Sequence, residues 1–213
     1  MRHFAVVLVL ALAAFAGIAQ AAGPLPVQLP QGAYLEDDPA AAAMRPPSGN
    51  TFDYRRYLDA VIQQSPDNVA ALVARAYLLK NAGQVKRARR DWERAAAAAK
   101  PGSPQERHLQ WSRGWGHYDL GEYEDAFDDW RRALAAHGGR PFWVPHTMAL
   151  LYWTTGDHDT AIAWYDAAVA ANVDWATDDG FEARTDSWRP QQRERMREAF
   201  AAWKQRRAAL ATP

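Results

Sequence analysis

The apolar positions of residues 107–136, RHLQWSRGWGHYDLGEYEDAFDDWRRALAA, recur at helical spacing on both sides of one glycine. Trp111, Trp115 and Tyr118 stand at i, i+4 and i+7, so a helix here carries three large rings on one face. Gly114 and His117 fall on another face. Gly121 follows the last periodic residue, where a glycine takes the left-handed conformation that ends a helix. Glu122, Glu124 and Asp125 then stand in the first turn of a second helix, favoured by its dipole. That helix presents Ala126, Trp130 and Ala133 for burial, and the stretch predicts two antiparallel helices closed at Gly121.

The same pattern recurs around Gly83 and Gly156, with the turn glycines 38 and 35 residues apart. Aligned on them, the small residue facing the partner helix is Ala76, Gly114 and Ala149, and the small residue early in the second helix is Ala88, Ala126 and Ala161. The ring four positions later is Trp92, Trp130 and Tyr165, followed by Ala95, Ala133 and Ala168. This register resembles the tetratricopeptide repeat (TPR), whose signature at a period of about 34 is W-x2-L-G-x2-Y, then A-x3-F, then P. The resemblance covers roughly residues 52–172. It implies an all-α fold, a right-handed solenoid of about three helical hairpins that binds partners on its concave side.

The flanks fit that frame. Asn50 and Thr51 are N-cap residues for a helix through about Gln64, with Tyr54, Leu58, Val61 and Ile62 on one face and Ser65-Pro66-Asp67 ending it. In register with the repeats it is a half-repeat, with Pro66 in the family's proline slot. Pro145 cannot sit deep in a helix, so the third hairpin starts near it and leaves Phe142 and Trp143 in the loop or first turn. After Asn172 the pattern breaks into an acidic, irregular stretch, 174–186, with one short helix around 180–184. A final helix from Trp188 to about Ala209 carries Met196, Phe200 and Trp203 on one face, and its polar outer face suits a terminal cap.

Charge adds two expectations. The second helix of the first hairpin is basic (Lys86, Arg87, Arg89, Arg90, Arg94), while its counterpart in the next is acidic (Glu122, Glu124, Asp125, Asp128, Asp129). Neighbouring second helices lie side by side in such a stack, so the opposed charges favour one repeat order, each surface pair adding about 0 to 1 kcal/mol. Just before the small residue of the first helix, where the family has leucine, stand Arg75, Arg113 and Met148, and sixteen residues later Asp91, Asp129 and Trp164. In an antiparallel hairpin those positions lie at one level, so the chain predicts two ion pairs inside hairpins and an apolar contact in the third.

At 213 residues, with 48% hydrophobic and ten tryptophans, the chain can bury a sizeable core. Its formal net charge is +0, which gives no global field toward nucleic acid or an anionic membrane. No cysteine is present, which excludes a disulfide framework, thiolate-ligated zinc and a thiol nucleophile. Residues 1–21 have a basic start, an apolar run over 4–18 and Ala19-Gln20-Ala21 as a small-x-small site, and read as a secretory signal peptide. An uncleaved anchor is the competing reading, since the run is near the roughly 17-residue minimum for a span. Either way the repeats lie outside the cytoplasm, periplasmic or secreted. Residues 22–50 hold six prolines and little periodicity, which predicts a mostly disordered linker, with Glu36-Asp37-Asp38 as a solvated charge run.

Catalytic spacing is lacking: there is no G-x-S-x-G, H-E-x-x-H, phosphate loop or calcium loop. Of six histidines only His158, between Asp157 and Asp159, has metal-like neighbours, at a hairpin turn where such residues are ordinary. No cofactor, metal or catalytic residue is expected, and the chain reads as non-enzymatic. By the family's geometry the concave face takes Val73, Tyr77 and Lys80, then His108, Trp111, Trp115 and Tyr118, then His146, Leu150 and Trp153. Such rings suit a partner's apolar helix or extended peptide, and equally the flat faces of sugars. The competing reading is that the C-terminal helix or the proline-rich tail of the chain folds into this groove. The expected function is an exported scaffold or adaptor for another protein, the alternative a carbohydrate-binding accessory of envelope polysaccharide or wall metabolism, with no nucleic-acid partner.

Overall fold

A computed structural model describes residues 24–42 and 51–211, so residues 1–23, which hold the expected signal peptide, lie outside the described residues. The described residues form α1 (Pro39–Ala42), α2 (Thr51–Gln64), α3 (Val69–Asn81), α4 (Val85–Ala98), α5 (Pro104–Asp119), α6 (Tyr123–His137), α7 (Val144–Thr155), α8 (His158–Ala171), a 3-10 turn (Val173–Ala176), α9 (Asp178–Thr185) and α10 (Pro190–Ala211). The most extensive contacts join α3 with α4, α5 with α6 and α7 with α8. The fold is all-α, a TPR-like stack of three helical hairpins flanked by a half-repeat helix and a C-terminal capping helix.

The three turns are built alike. Gly83, Gly121 and Gly156 have φ of 73°, 77° and 89°, a region an L side chain enters only with strain. Small residues set how closely the helices of a pair approach. A Cβ on Gly114 would lie 2.5 Å from Cδ1 of Trp130, so only a bare Cα lets that ring reach the α5 backbone. There its Nε1 donates to the Trp111 carbonyl at 3.2 Å. Trp130, with 0% of its surface exposed, gains about 3 kcal/mol from burial of its ring.

The predicted ion pairs are present. Arg75 donates from Nε and Nη2 to Asp91 at 2.7 and 2.8 Å, and Arg113 does the same to Asp129 at 2.8 and 2.6 Å. Bidentate geometry fixes the level of one helix against the other as well as neutralising charge. In the third hairpin Met148 and Trp164 are both fully buried in one apolar cluster. Between hairpins, Arg89 of α4 pairs with Glu122 at the start of α6, the cross-repeat contact expected from the opposed charges.

Two features of the stack position the site. The backbones of α3 and α5 pack closely, whereas those of α5 and α7 scarcely approach. Helix separation follows the size of the side chains between, and here the wedge is filled by Trp111, Trp115, Trp143 and Tyr118. Trp143 fits because Pro145 starts α7 at Val144 and leaves Trp143 at the N-cap, buried in the loop.

The second feature corrects the sequence reading: residues 24–42 are not a disordered linker but lie packed along the third hairpin. Tyr152 donates to the Pro26 carbonyl at 2.7 Å, Trp164 Nε1 to the Gln28 carbonyl at 2.6 Å, and the Tyr34 ring lies 5.5 Å from that of Trp164. Glu36 pairs through its backbone with Arg140 and Phe142. Nor is Asp38 part of a solvated run. It is 1% exposed and accepts from Trp143 Nε1 at 3.0 Å, Arg107 Nε at 2.9 Å and the amides of Ala40 and Ala41. Prolines keep this segment extended, and its carbonyls, unpaired within any element, find donors on the hairpin instead.

Candidate functional site: a ring face closed by the chain's own ends

The ten residues expected to line one concave groove separate into three groups. Val73 and Leu150 are wholly buried and belong to the core. In register they match Trp111 and Trp115, so they lie on the same helical stripe, but the apolar clusters packed around them leave them no exposed surface and they line no groove.

Lys80, Tyr77 and the end of α5 form a buried polar knot. Lys80 lies 4.7 Å over the Tyr77 ring and pairs with Asp119, both charged side chains almost fully enclosed, at 2% and 4% exposure. Burial pulls the Lys80 ammonium below its usual range, and the Asp119 carboxylate works against that. The same carboxylate receives Gln192 Nε2 at 2.6 Å and Arg189 Nε at 3.3 Å, while Arg189 also donates to Asn81 Oδ1 at 2.6 Å. Asp119 thus ties α3, α5 and the start of α10 together.

The rest form the ring face. Trp115 contacts Trp111, Tyr118 and Trp130 edge-on, at 6.3, 6.2 and 5.1 Å between centroids. Tyr118 is buried and shares a hydrogen bond of 2.7 Å with Thr154, which closes α5 onto α7. His108 bonds the Ala40 carbonyl at 2.9 Å through Nδ1, so α1 covers the outer end of α5. His146 is stacked on Trp175 at 5.3 Å and tilted against Trp188 at 5.8 Å. Burial, aided by the Arg184 charge, pushes its imidazole down to about 3. Trp153 stacks on His158 at 4.1 Å and donates to Glu198 of α10 at 2.9 Å.

Over this face lies Trp188, 5.5 Å from Trp115 and 6.0 Å from Trp175. The groove is therefore not an open hollow: the tail closes one end and the start of α10 covers the middle. Trp111 and Trp115 remain half-buried, with Nε1 atoms that are enclosed and have no hydrogen-bond partner. Beside the covering segment a hollow of about 620 Å³ remains, lined by Tyr118, Asp119, Tyr123, Arg189 and Gln192 among others.

Sequence reasoning did not single out Asp38, Arg107, Asp119, Arg189 or Gln192. One signal was readable: Asp38-Pro39-Ala40-Ala41 has an N-cap carboxylate followed by proline at the first helical position. The His158 cluster disperses, since Asp157 caps α8 through Thr160 and Asp159 pairs with Arg206. Among the described residues, His117, Glu122 and Asp125 do bring ligand atoms within 4.8 Å of one another. Arg89 is paired with that same Glu122, which puts a fixed cation at the group, and His117 Nδ1 bonds its other oxygen at 2.6 Å. The cluster is built as a hydrogen-bonded joint between α4, α5 and α6.

No protein-family model matches the chain. No curated protein matches it either. Among solved structures, one described as "Crystal structure of MamA" is similar over 76% of this chain and 92% of that one, at 17% sequence identity and a TM-score of 0.48. That similarity is too distant to carry anything about function. No helix among the described residues is long and apolar enough to cross a membrane.

Proposed function

We propose that this chain is an exported, non-enzymatic scaffold that docks another protein on the ring face between α5 and α7. The supporting observation is that this face already holds a stretch of polypeptide at a helix start: Trp188 against Trp115 and His146, with Arg189 and Gln192 on Asp119. Aromatic anchors with a polar rim are the usual makings of a protein-binding patch. No observation favours the glycan alternative, because Trp111 and Trp115 meet other rings edge-on and present no flat open platform.

The test is site-specific photo-crosslinking in the native cell, with benzoylphenylalanine at Tyr123, which borders the hollow, and at Leu210, which is exposed at the far end of α10. A discrete protein adduct at position 123, absent at 210 and lost with Trp111→Ala and Trp115→Ala, supports the reading. No adduct at 123, or the same adducts at both positions, overturns it. Export is tested separately by N-terminal sequencing of the mature protein, with cleavage after Ala21 expected.

A further inference from the structure

Building on that scaffold reading, we infer that the ring face is a docking site for an aromatic-arginine segment of the partner, and that residues 188–192 occupy it as a resident substitute. The occupant shows what the site recognises. Its indole packs among Trp115, His146 and Trp175, and the next residue sets a guanidinium 3.3 Å from Asp119 and 2.6 Å from Asn81. An amide three residues on takes the second oxygen of Asp119. A ring pocket beside a buried carboxylate thus selects an aromatic side chain followed by a cation.

Attachment of this segment is uneven along its length. Met196, Ala199, Phe200 and Trp203 are buried, with Phe200 stacked on Phe181 at 5.2 Å and Trp203 donating to Asp166 at 2.7 Å, so the body of α10 belongs to the core. Trp188 precedes the helix, which starts at Pro190, and is half-buried, while Arg189, Pro190 and Gln191 are exposed. Trp188, Arg189 and the first turn of α10, where Gln192 is buried against Asp119, can therefore lift away while the body of α10 from Met196 onward stays. The hollow beside it opens onto Asp119 and gives an incoming segment an approach, and the enclosed Trp115 Nε1, a donor without an acceptor, is a contact the resident segment leaves unused. Displacement in trans is then a competition between the resident segment and one that uses these groups better.

The experiment is chemical complementation. A fluorescent peptide with the sequence of residues 186–195 is titrated by anisotropy against the full chain and against Trp188→Ala, whose folding is checked by circular dichroism. Vacating the site removes the competitor, so the variant should bind roughly tenfold or more tightly than the parent. Binding should be lost when the peptide's tryptophan or arginine is replaced by alanine. A folded variant that binds no peptide, or a parent that binds equally well, overturns the inference. If Trp188→Ala does not fold, Arg189→Ala with Gln192→Ala keeps the ring, releases the polar hold and is judged by the same criterion. A null titration alongside a discrete Tyr123 crosslink would sink this inference and leave the scaffold reading standing.

Discussion

Removing one charge from the pair inside the second hairpin should do more damage than removing both. Arg113 reaches Asp129 through two hydrogen bonds of 2.8 and 2.6 Å, and the aspartate side chain is only 4% exposed. Burial acts against the Arg113 charge, but the Asp129 hydrogen bonds outweigh it and hold the guanidinium above its usual range. Arg113→Met leaves the Asp129 carboxylate buried without its counter-ion, which costs about 3 to 5 kcal/mol. For a domain of this size about 1 kcal/mol moves the melting temperature by 2 to 4 °C, so the single variant should fall by on the order of 10 °C. Arg113→Met with Asp129→Leu replaces both charges with apolar bulk, as Met148 and Trp164 do at full burial in the third hairpin, and should fall by only a few degrees. His117 Nε2 lies 3.6 Å from Asp129, so all variants are melted in one buffer at one fixed pH. Equal losses in the single and double variants, or a larger loss in the double, would refute the reasoning.

Three further outcomes are expected. Gly114→Ala, which in an open helix would stabilise by up to about 1 kcal/mol, should here destabilise by about 1 to 3 kcal/mol, because the added Cβ meets the immobile Trp130 ring; urea melts give the sign. His146 is neutral when enclosed and ordinary when freed, so its contribution is complete above about pH 6.5 and is lost as pH falls toward 3. At pH 5 that loss approaches about 2 kcal/mol, and His146→Phe should flatten this part of the profile. Asp38→Asn should free residues 24–42 to proteolysis under conditions where the parent tail resists cleavage. In the parent, hydrogen bonds from Trp143 and Arg107 outweigh burial and keep this carboxyl below its usual range, so tail docking should be present above about pH 4 and weaken as pH falls through it. Limited digestion across pH reads both effects.

The hairpins were legible because their determinants are local. A glycine at each turn, a small residue opposite a large ring, and an arginine sixteen residues before an aspartate all act within one pair of helices. The register of three repeats made each reading support the others. The site was legible only in part: Trp111, Trp115 and Tyr118 were recognised as a ring stripe, but not that they would wedge α5 away from α7. Val73 and Leu150 were misplaced because helical spacing gives a face, whereas burial depends on what packs against it.

From the sequence alone came the all-α class, the three helical hairpins and the charge pairs within them, since short-range spacing encodes which faces of a hairpin must meet. Only the tertiary structure decided where the two ends of the chain lie. Asp38 is buried because Arg107 and Trp143, 69 and 105 residues away, reach it, and Trp188 covers Trp115 because α10 is anchored through Phe200 and Trp203. A proline-rich tail and a loop before a helix carry no periodicity that points to their partners. Their positions follow from unpaired carbonyls, a buried carboxylate and exposed rings finding one another only after the stack has formed.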